Sequence, residues 1–259
     1  MILDEIAEYT KERVRALKAH KSLYAVRDEA EGRPQGKDFR AALAAPGLSV
    51  IAELKKASPS KGVIAPDFTD IYLRKAVEYE AGGAAAISCL TEPKFFQGND
   101  AYLQAVRQRV ELPLLRKDFT LDEYQIYEAK CIGADAVLLI CSLLSAAQLG
   151  EYLAQAQELG LSALVEAHTA DEVQQALAAG AEIIGVNNRN LKDFSVNPLN
   201  GLRLRDAIPA SKIFVAESGI QCAADARALK QAGVQAVLVG EALMRSANAA
   251  AMLKEMRDA

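Results

Sequence analysis

Histidine is scarce in this 259-residue chain: only His20 and His168 occur. Two imidazoles are too few for a His-rich metal site, and carboxylates without paired histidines predict no zinc centre. The four cysteines, Cys89, Cys131, Cys141 and Cys222, form no Cys-x-x-Cys pair. Scattered and mostly in apolar company, they read as buried free thiols in a reducing, cytoplasmic setting. No apolar run approaches the roughly 18 residues that a membrane span needs. The acidic opening Met1-Ile2-Leu3-Asp4-Glu5 has no apolar stretch behind it and is not a secretory signal. Positive charge is not in excess either: the net charge is -4 and the isoelectric point near 5.4. That excludes a general nucleic-acid binder, yet leaves room for a local cationic pocket holding an anionic metabolite.

What is present is a repeat. Gly82-Gly83-Ala84, Gly133-Ala134-Asp135, Gly180-Ala181-Glu182 and Gly233-Val234-Gln235 each follow a helical pattern and lead into a short apolar run. Glycine there predicts a left-handed helix C-cap. The interval of about 50 residues is two βα units of a barrel. Strands are expected near 48–54, 84–89, 112–116, 135–140, 161–166, 182–186, 212–217 and 235–239, with helical patterns between them. Continuous apolar runs such as Ala136-Val137-Leu138-Leu139-Ile140 suit a parallel sheet buried on both faces. Eight strands alternating with eight helices point to an α/β fold, a (β/α)8 TIM barrel over residues 48–259. An open doubly wound sheet usually carries a Gly-rich first turn, and neither G-x-G-x-x-G nor G-x-x-x-x-G-K-[ST] occurs. Residues 1–47 do not fit the repeat. A charged amphipathic helix over 2–19, with Ile2, Ile6, Val14 and Leu17 as apolar contacts, and a segment Phe39 to Leu43 form an N-terminal helical extension. It is too small for its own core, so it packs on the barrel.

Barrel chemistry gathers where strands end. The first strand ends in Glu53 and Lys55, two apart and therefore on one side of the strand. The second leads into a loop, Thr91 to Gly98, with two aromatics. The third ends in Lys117 and Phe119, the fifth in Glu166, and the sixth in Gly185-Val186-Asn187-Asn188-Arg189-Asn190. The seventh ends in Glu217-Ser218-Gly219 and the eighth in Gly240-Glu241. Glycine turns after strands seven and eight suit a phosphate cradle, with a hydroxyl from Ser218 and charge from Arg189. Carboxylates beside ammonium groups suit general acid–base work on a carbonyl or alcohol, with structural ion pairs as the alternative. Lys117 alone also fits a Schiff-base aldolase. His168 reads as a solvent-facing loop or helix-start residue, with pocket lining as the alternative.

Several of these strings resemble one family. Ile51-Ala52-Glu53-Leu54-Lys55-Lys56-Ala57-Ser58-Pro59-Ser60-Lys61-Gly62, Leu90-Thr91-Glu92 through Phe96-Gln97-Gly98, and Leu115-Arg116-Lys117-Asp118-Phe119 are similar to the indole-3-glycerol phosphate synthases. So are Leu164-Val165-Glu166, Gly185 through Leu191, Glu217-Ser218-Gly219-Ile220 and Gly240 through Arg245. The resemblance implies a decarboxylating, dehydrating ring closure of 1-(2-carboxyphenylamino)-1-deoxyribulose 5-phosphate in tryptophan biosynthesis. It implies no cofactor, and a monomer open to association with other enzymes of that pathway. Its catalytic set would be Lys117, Glu166, Lys55, Glu53 and Asn187. Lys117 would be the acid at the carbonyl and Lys55 the cation for the departing carboxylate. Glu166 and Glu53 would share the base and orienting work, and Asn187 would hold the sugar hydroxyls. Whether Lys55 or Lys117 is the acid in dehydration stays open. Substrate contacts would come from Ser58, Phe96, Phe119, Arg189, Leu191, Glu217, Ser218, Gly219, Gly240 and Glu241. Ser58 to Gly62 would form a mobile loop over the site. A phosphosugar isomerase and a non-catalytic phosphate-binding barrel remain the rival readings.

Overall fold

A computed structural model describes residues 2–189, 195 and 200–259. Eight parallel strands close into a barrel: Ser49–Leu54, Ala86–Leu90, Leu114–Lys117, Ala136–Ile140, Ser162–Ala167, Ile183–Asn187, Ile213–Glu217 and Ala236–Val239. Closure is explicit in the first strand, which pairs with the second (Glu53 opposite Ser88) and with the eighth (Val50 opposite Val237). Each expected strand is found within two residues of its predicted bounds.

The side-chain alternation of these strands decides everything that follows. Val50, Ala52 and Leu54 face the helices, within one large apolar layer between sheet and helix ring. Ile51 faces inward and joins Leu115, Leu138, Leu164, Ile183, Val215 and Leu238 in a second apolar cluster that fills the barrel. Because successive side chains alternate, the inward row continues from Ile51 to Glu53, from Leu115 to Lys117 and from Leu164 to Glu166. In the same way Ile183 leads to Gly185 and Asn187, Val215 to Glu217, and Leu238 to Gly240. The apolar filling thus gives way to charge at one end only, the carboxyl end.

The recurring glycines behave as their position requires. Gly83, Gly133, Gly180 and Gly233 have φ of 77, 90, 91 and 79°, the left-handed conformation that ends a helix and releases the chain into a strand.

The N-terminal segment forms three helices, Ile2–His20, Leu23–Glu31 and Phe39–Leu43. The middle one is absent from the sequence expectation. Its start is set by Ser22, whose side chain accepts the Ala25 N–H, and Val26 and Ala30 pack with Val14, Tyr124 and Tyr127. Phe39 and Leu43 close the amino end of the barrel, tied there by Ser49 Oγ donating to Leu43 O. The first helix lies over the opposite end. Its Arg13 holds Asp118 at 2.7 Å and its Lys18 holds Asp122 at 2.7 Å. Among the described residues no helix is long and apolar enough to cross a membrane. The cysteines split: Cys89 and Cys141 are buried, Cys131 is half-buried, and Cys222 is exposed at a helix start, where the sequence reading had expected burial for most.

Candidate active site

The charged ends of the inward rows meet in one cavity, open to solvent at the carboxyl end of the barrel. Glu53, Lys55, Ser58, Phe96, Lys117, Phe119, Glu166, Asn187, Arg189, Glu217, Ser218, Gly219, Gly240 and Glu241 all line it. Leu191, the remaining candidate, lies outside the described residues. The wall also includes Ile2, Leu3 and Ile6 from the first helix. The apolar face of that helix was legible in the sequence, but its contribution to the cavity was not.

Two ion-pair groups organise the floor. Lys117 Nζ donates to Glu217 Oε2 at 2.7 Å and to Glu166 Oε2 at 3.1 Å. Lys55 Nζ donates to Glu53 Oε1 at 2.5 Å, while Ser88 Oγ reaches Glu53 Oε2 at 3.4 Å. Asn187 Nδ2 donates to Glu166 Oε1 at 3.2 Å, and its Oδ1 accepts the Arg189 N–H at 3.0 Å. All three glutamates are 2% exposed, so their charges are screened by little water.

Burial alone would lower the pKa of Lys117, but Glu217, Glu166 and Glu53 more than offset it and raise it, so the ammonium is held. Burial works in the other direction on the carboxylates. For Glu166 it is outweighed by Lys117, His168 and the Asn187 hydrogen bond, and the pKa falls. For Glu217 burial wins with help from Glu166 and Glu53, and the carboxyl is pushed up to about 7. Two carboxylates sharing one ammonium titrate together. The two environments differ in the same sense: Glu217 Oε1 is buried without a hydrogen-bond partner, whereas both oxygens of Glu166 are engaged.

Backbone geometry shapes the rest of the wall. Ser218 and Gly219 follow one another at φ of 67 and 85°. A non-glycine residue in that region is uncommon and recurs at functional turns. At Gly240 a Cβ would stand 2.5 Å from Glu53 Oε1 and 2.9 Å from Lys55 Nζ, so a side chain there would push that ion pair aside. Asn188 Nδ2 donates to Ser218 O at 3.1 Å and links the sixth and seventh strand ends.

The aromatic side of the cavity hangs on a residue the sequence reading did not assign. Glu92 is fully buried, and its carboxylate accepts the backbone N–H groups of Lys94, Phe95 and Phe96 at 2.7–2.9 Å. That turn sets Phe96 opposite Phe119, ring centroids 5.9 Å apart. Over the first strand end, the Ser58 to Gly62 loop is framed by a two-residue hairpin, Ala57–Ser58 with Gly62–Val63, an element absent from the sequence expectation. Its Lys61 comes within 3.9 Å of Glu241. His168 departs from the solvent-facing expectation: its side chain is 18% exposed and lies between Glu166 and Glu172.

Closed parallel barrels that concentrate opposing charges at the strand carboxyl ends form a class of enzymes, and this chain falls in it. Solved structures agree on the fold. A 3-hexulose-6-phosphate synthase superposes with a TM-score of 0.63 at 20% identity over 82% of this chain and 99% of its own. Another, from Salmonella typhimurium, gives 0.66 at 15% identity over 82% and 97%.

Closer relatives narrow the class. The family model for indole-3-glycerol phosphate synthase matches residues 3–256. An indole-3-glycerol phosphate synthase of Endomicrobium trichonymphae is 52% identical over 100% of both chains. One of Ruminiclostridium cellulolyticum is 52% identical over 99% of both. The chain belongs to the indole-3-glycerol phosphate synthase family. It is accordingly a decarboxylating carbon–carbon lyase of tryptophan biosynthesis.

Proposed function

We propose that this cavity closes the indole ring of 1-(2-carboxyphenylamino)-1-deoxyribulose 5-phosphate, with lysine and glutamate as acids and bases. The observation that carries the reading is the placement of Lys117 between two buried carboxylates, facing the same cavity as the Lys55–Glu53 pair. The reaction joins the aromatic carbon bearing the carboxylate to the sugar carbonyl carbon. Carbon dioxide then leaves, and water follows.

Each step asks for one group. Attack on the carbonyl builds negative charge on its oxygen, and an ammonium fixed in a dry site stabilises that charge best. Lys117 is that ammonium, because its neighbours hold it protonated. The anthranilate carboxylate needs a cation until it departs, and Lys55 serves. Dehydration needs a base to take a ring proton and an acid to assist hydroxide. Glu166 is the base, Glu53 orients Lys55, and Asn187 holds the sugar hydroxyls alongside Glu166. Phe96 and Phe119 grip the aromatic ring against Ile2, Leu3 and Ile6. The turns Ser218–Gly219 and Gly240–Glu241, with Arg189, take the phosphate. Ser58 closes over the substrate from the first loop.

Free thiols support a reducing, cytoplasmic setting, and a monomer suffices because every named group comes from one chain. The test is incubation with the carboxyphenylamino substrate. Indole absorbance and fluorescence accompanied by stoichiometric carbon dioxide are expected. Isomerised sugar without carbon dioxide would assign the site to a phosphosugar isomerase instead.

A further inference from the structure

We propose that His168 is a positioning residue for this reaction: seated between Glu166 and Glu172, it acts as an imidazolium that keeps Glu166 ionised when Lys117 turns toward the substrate. The proposal rests on the reading of Glu166 as the base. His168 Nε2 lies 3.7 Å from Glu166 Oε1, and Nδ1 lies 3.7 Å from Glu172 Oε2. A neutral imidazole offers one donor and one acceptor nitrogen, and the acceptor repels a carboxylate. A carboxylate at each nitrogen therefore selects the ring with both nitrogens protonated. Nε2 is buried and makes no hydrogen bond among the described residues, and its ion-pair contact is with Glu166 Oε1, 3.7 Å away.

The ring is held rather than loose. Glu172 Oε2 accepts the backbone N–H of His168 at 2.6 Å, and Thr169 Oγ1 fixes Glu172 by accepting its N–H at 3.2 Å. Asn200 Nδ2 donates to His168 O at 3.3 Å from the helix Asn200–Leu204. The described charged groups that face the ring are Glu166 on the strand just before it, Glu172 on the next helix and Glu217 on the seventh strand. Lys117 stands beyond Glu166 on the third. Burial opposes the charged imidazole, but Glu172, Glu166 and Glu217 together raise its pKa above the ordinary value. A raised imidazole pKa means that the stabilisation is present at low pH and fades as pH rises through the folded value.

A second cation has a task here. Lys117 is shared, and when it donates to the substrate carbonyl Glu166 loses its 3.1 Å partner. A buried carboxylate beside Glu217 would then take up a proton and cease to be a base. His168 supplies the missing charge from the side away from the cavity, whose lining does not include it. It touches no substrate and acts through Glu166.

The experiment has two readouts. The first is imidazole NMR titration of the unmodified protein, with His20→Gln used for assignment because only two histidines exist. His168 is expected to titrate above 6.5, and a neutral ring at pH 6.5 and below would overturn the proposal whatever any variant does. The second is the pH profile of kcat. In His168→Gln the acidic limb should move up by about one unit, an approximately tenfold loss on the acid side with little change in KM. The two profiles should converge at alkaline pH, where the native ring is neutral. Glu172→Gln should bring that alkaline convergence to lower pH. A loss of equal size at every pH, or an unchanged profile, would mean a structural role and overturn the proposal. No indole from the unmodified protein would overturn the function itself, an outcome distinct from any imidazole result.

Discussion

Lys117 Nζ lies 2.7 Å from Glu217 Oε2, and the other oxygen of Glu217 is buried without a partner. One carboxylate of the cluster is thereby left incompletely satisfied, which fits a carboxyl pushed up to about 7. A raised carboxyl pKa stabilises the fold only while the group is protonated. Its contribution is complete below the ordinary value of 4.5 and is lost as pH rises through 7. Glu217→Gln, which mimics the protonated form, should therefore unfold at higher temperature than the native protein at pH 8. The advantage should shrink toward pH 5. Thermal melts from pH 5 to 9 check it; a variant less stable at pH 8 than at pH 5, relative to native, contradicts the sign.

Gly240→Ala should damage the reaction more than the fold. The added Cβ displaces the Glu53 carboxylate and the Lys55 ammonium, groups at the far ends of flexible side chains, so stability should fall by only about 1–3 kcal/mol. Misplacing a catalytic pair by an ångström costs on the order of 10²-fold in turnover. Denaturant unfolding beside steady-state kinetics separates the two effects.

Glu92→Ala should raise KM by loosening the turn that carries Phe96. It leaves three backbone N–H groups without their acceptor, at about 1–3 kcal/mol if they stay buried. Glu92→Gln keeps one acceptor oxygen and should be milder in both KM and unfolding free energy.

Arg189→Ala should weaken the grip on the phosphate. The expected result is a KM raised about tenfold with a smaller change in kcat, together with weaker inhibition by inorganic phosphate. An unchanged KM would remove Arg189 from the phosphate site.

Most of the barrel was legible because its signals are local. Apolar runs of strand length, four of them preceded by the recurring glycines that turn left-handed, place all eight strands without tertiary information. The charged strand ends were legible for the same reason, since Glu53, Lys117, Glu166 and Glu217 break inward rows that otherwise read as Val, Ile or Leu. The helix Leu23–Glu31 was not, because Val26 and Ala30 are its only fully buried apolar residues and their partners Tyr124 and Tyr127 lie about a hundred residues further along the chain. Glu92 and His168 escaped for another reason. Their roles come from what surrounds them in space, three N–H groups in one case and two carboxylates in the other. Neither signal has a sequence period.

The measurement closest to the central claim is indole formation by the native protein and by Lys117→Ala, followed by fluorescence on the carboxyphenylamino substrate, with circular dichroism confirming the fold of both. The account predicts rising indole signal from the native protein and a loss of about 10³-fold or more in the variant. Comparable turnover in both would contradict Lys117 as the acid at the carbonyl and dissolve the assignment of its two carboxylate partners.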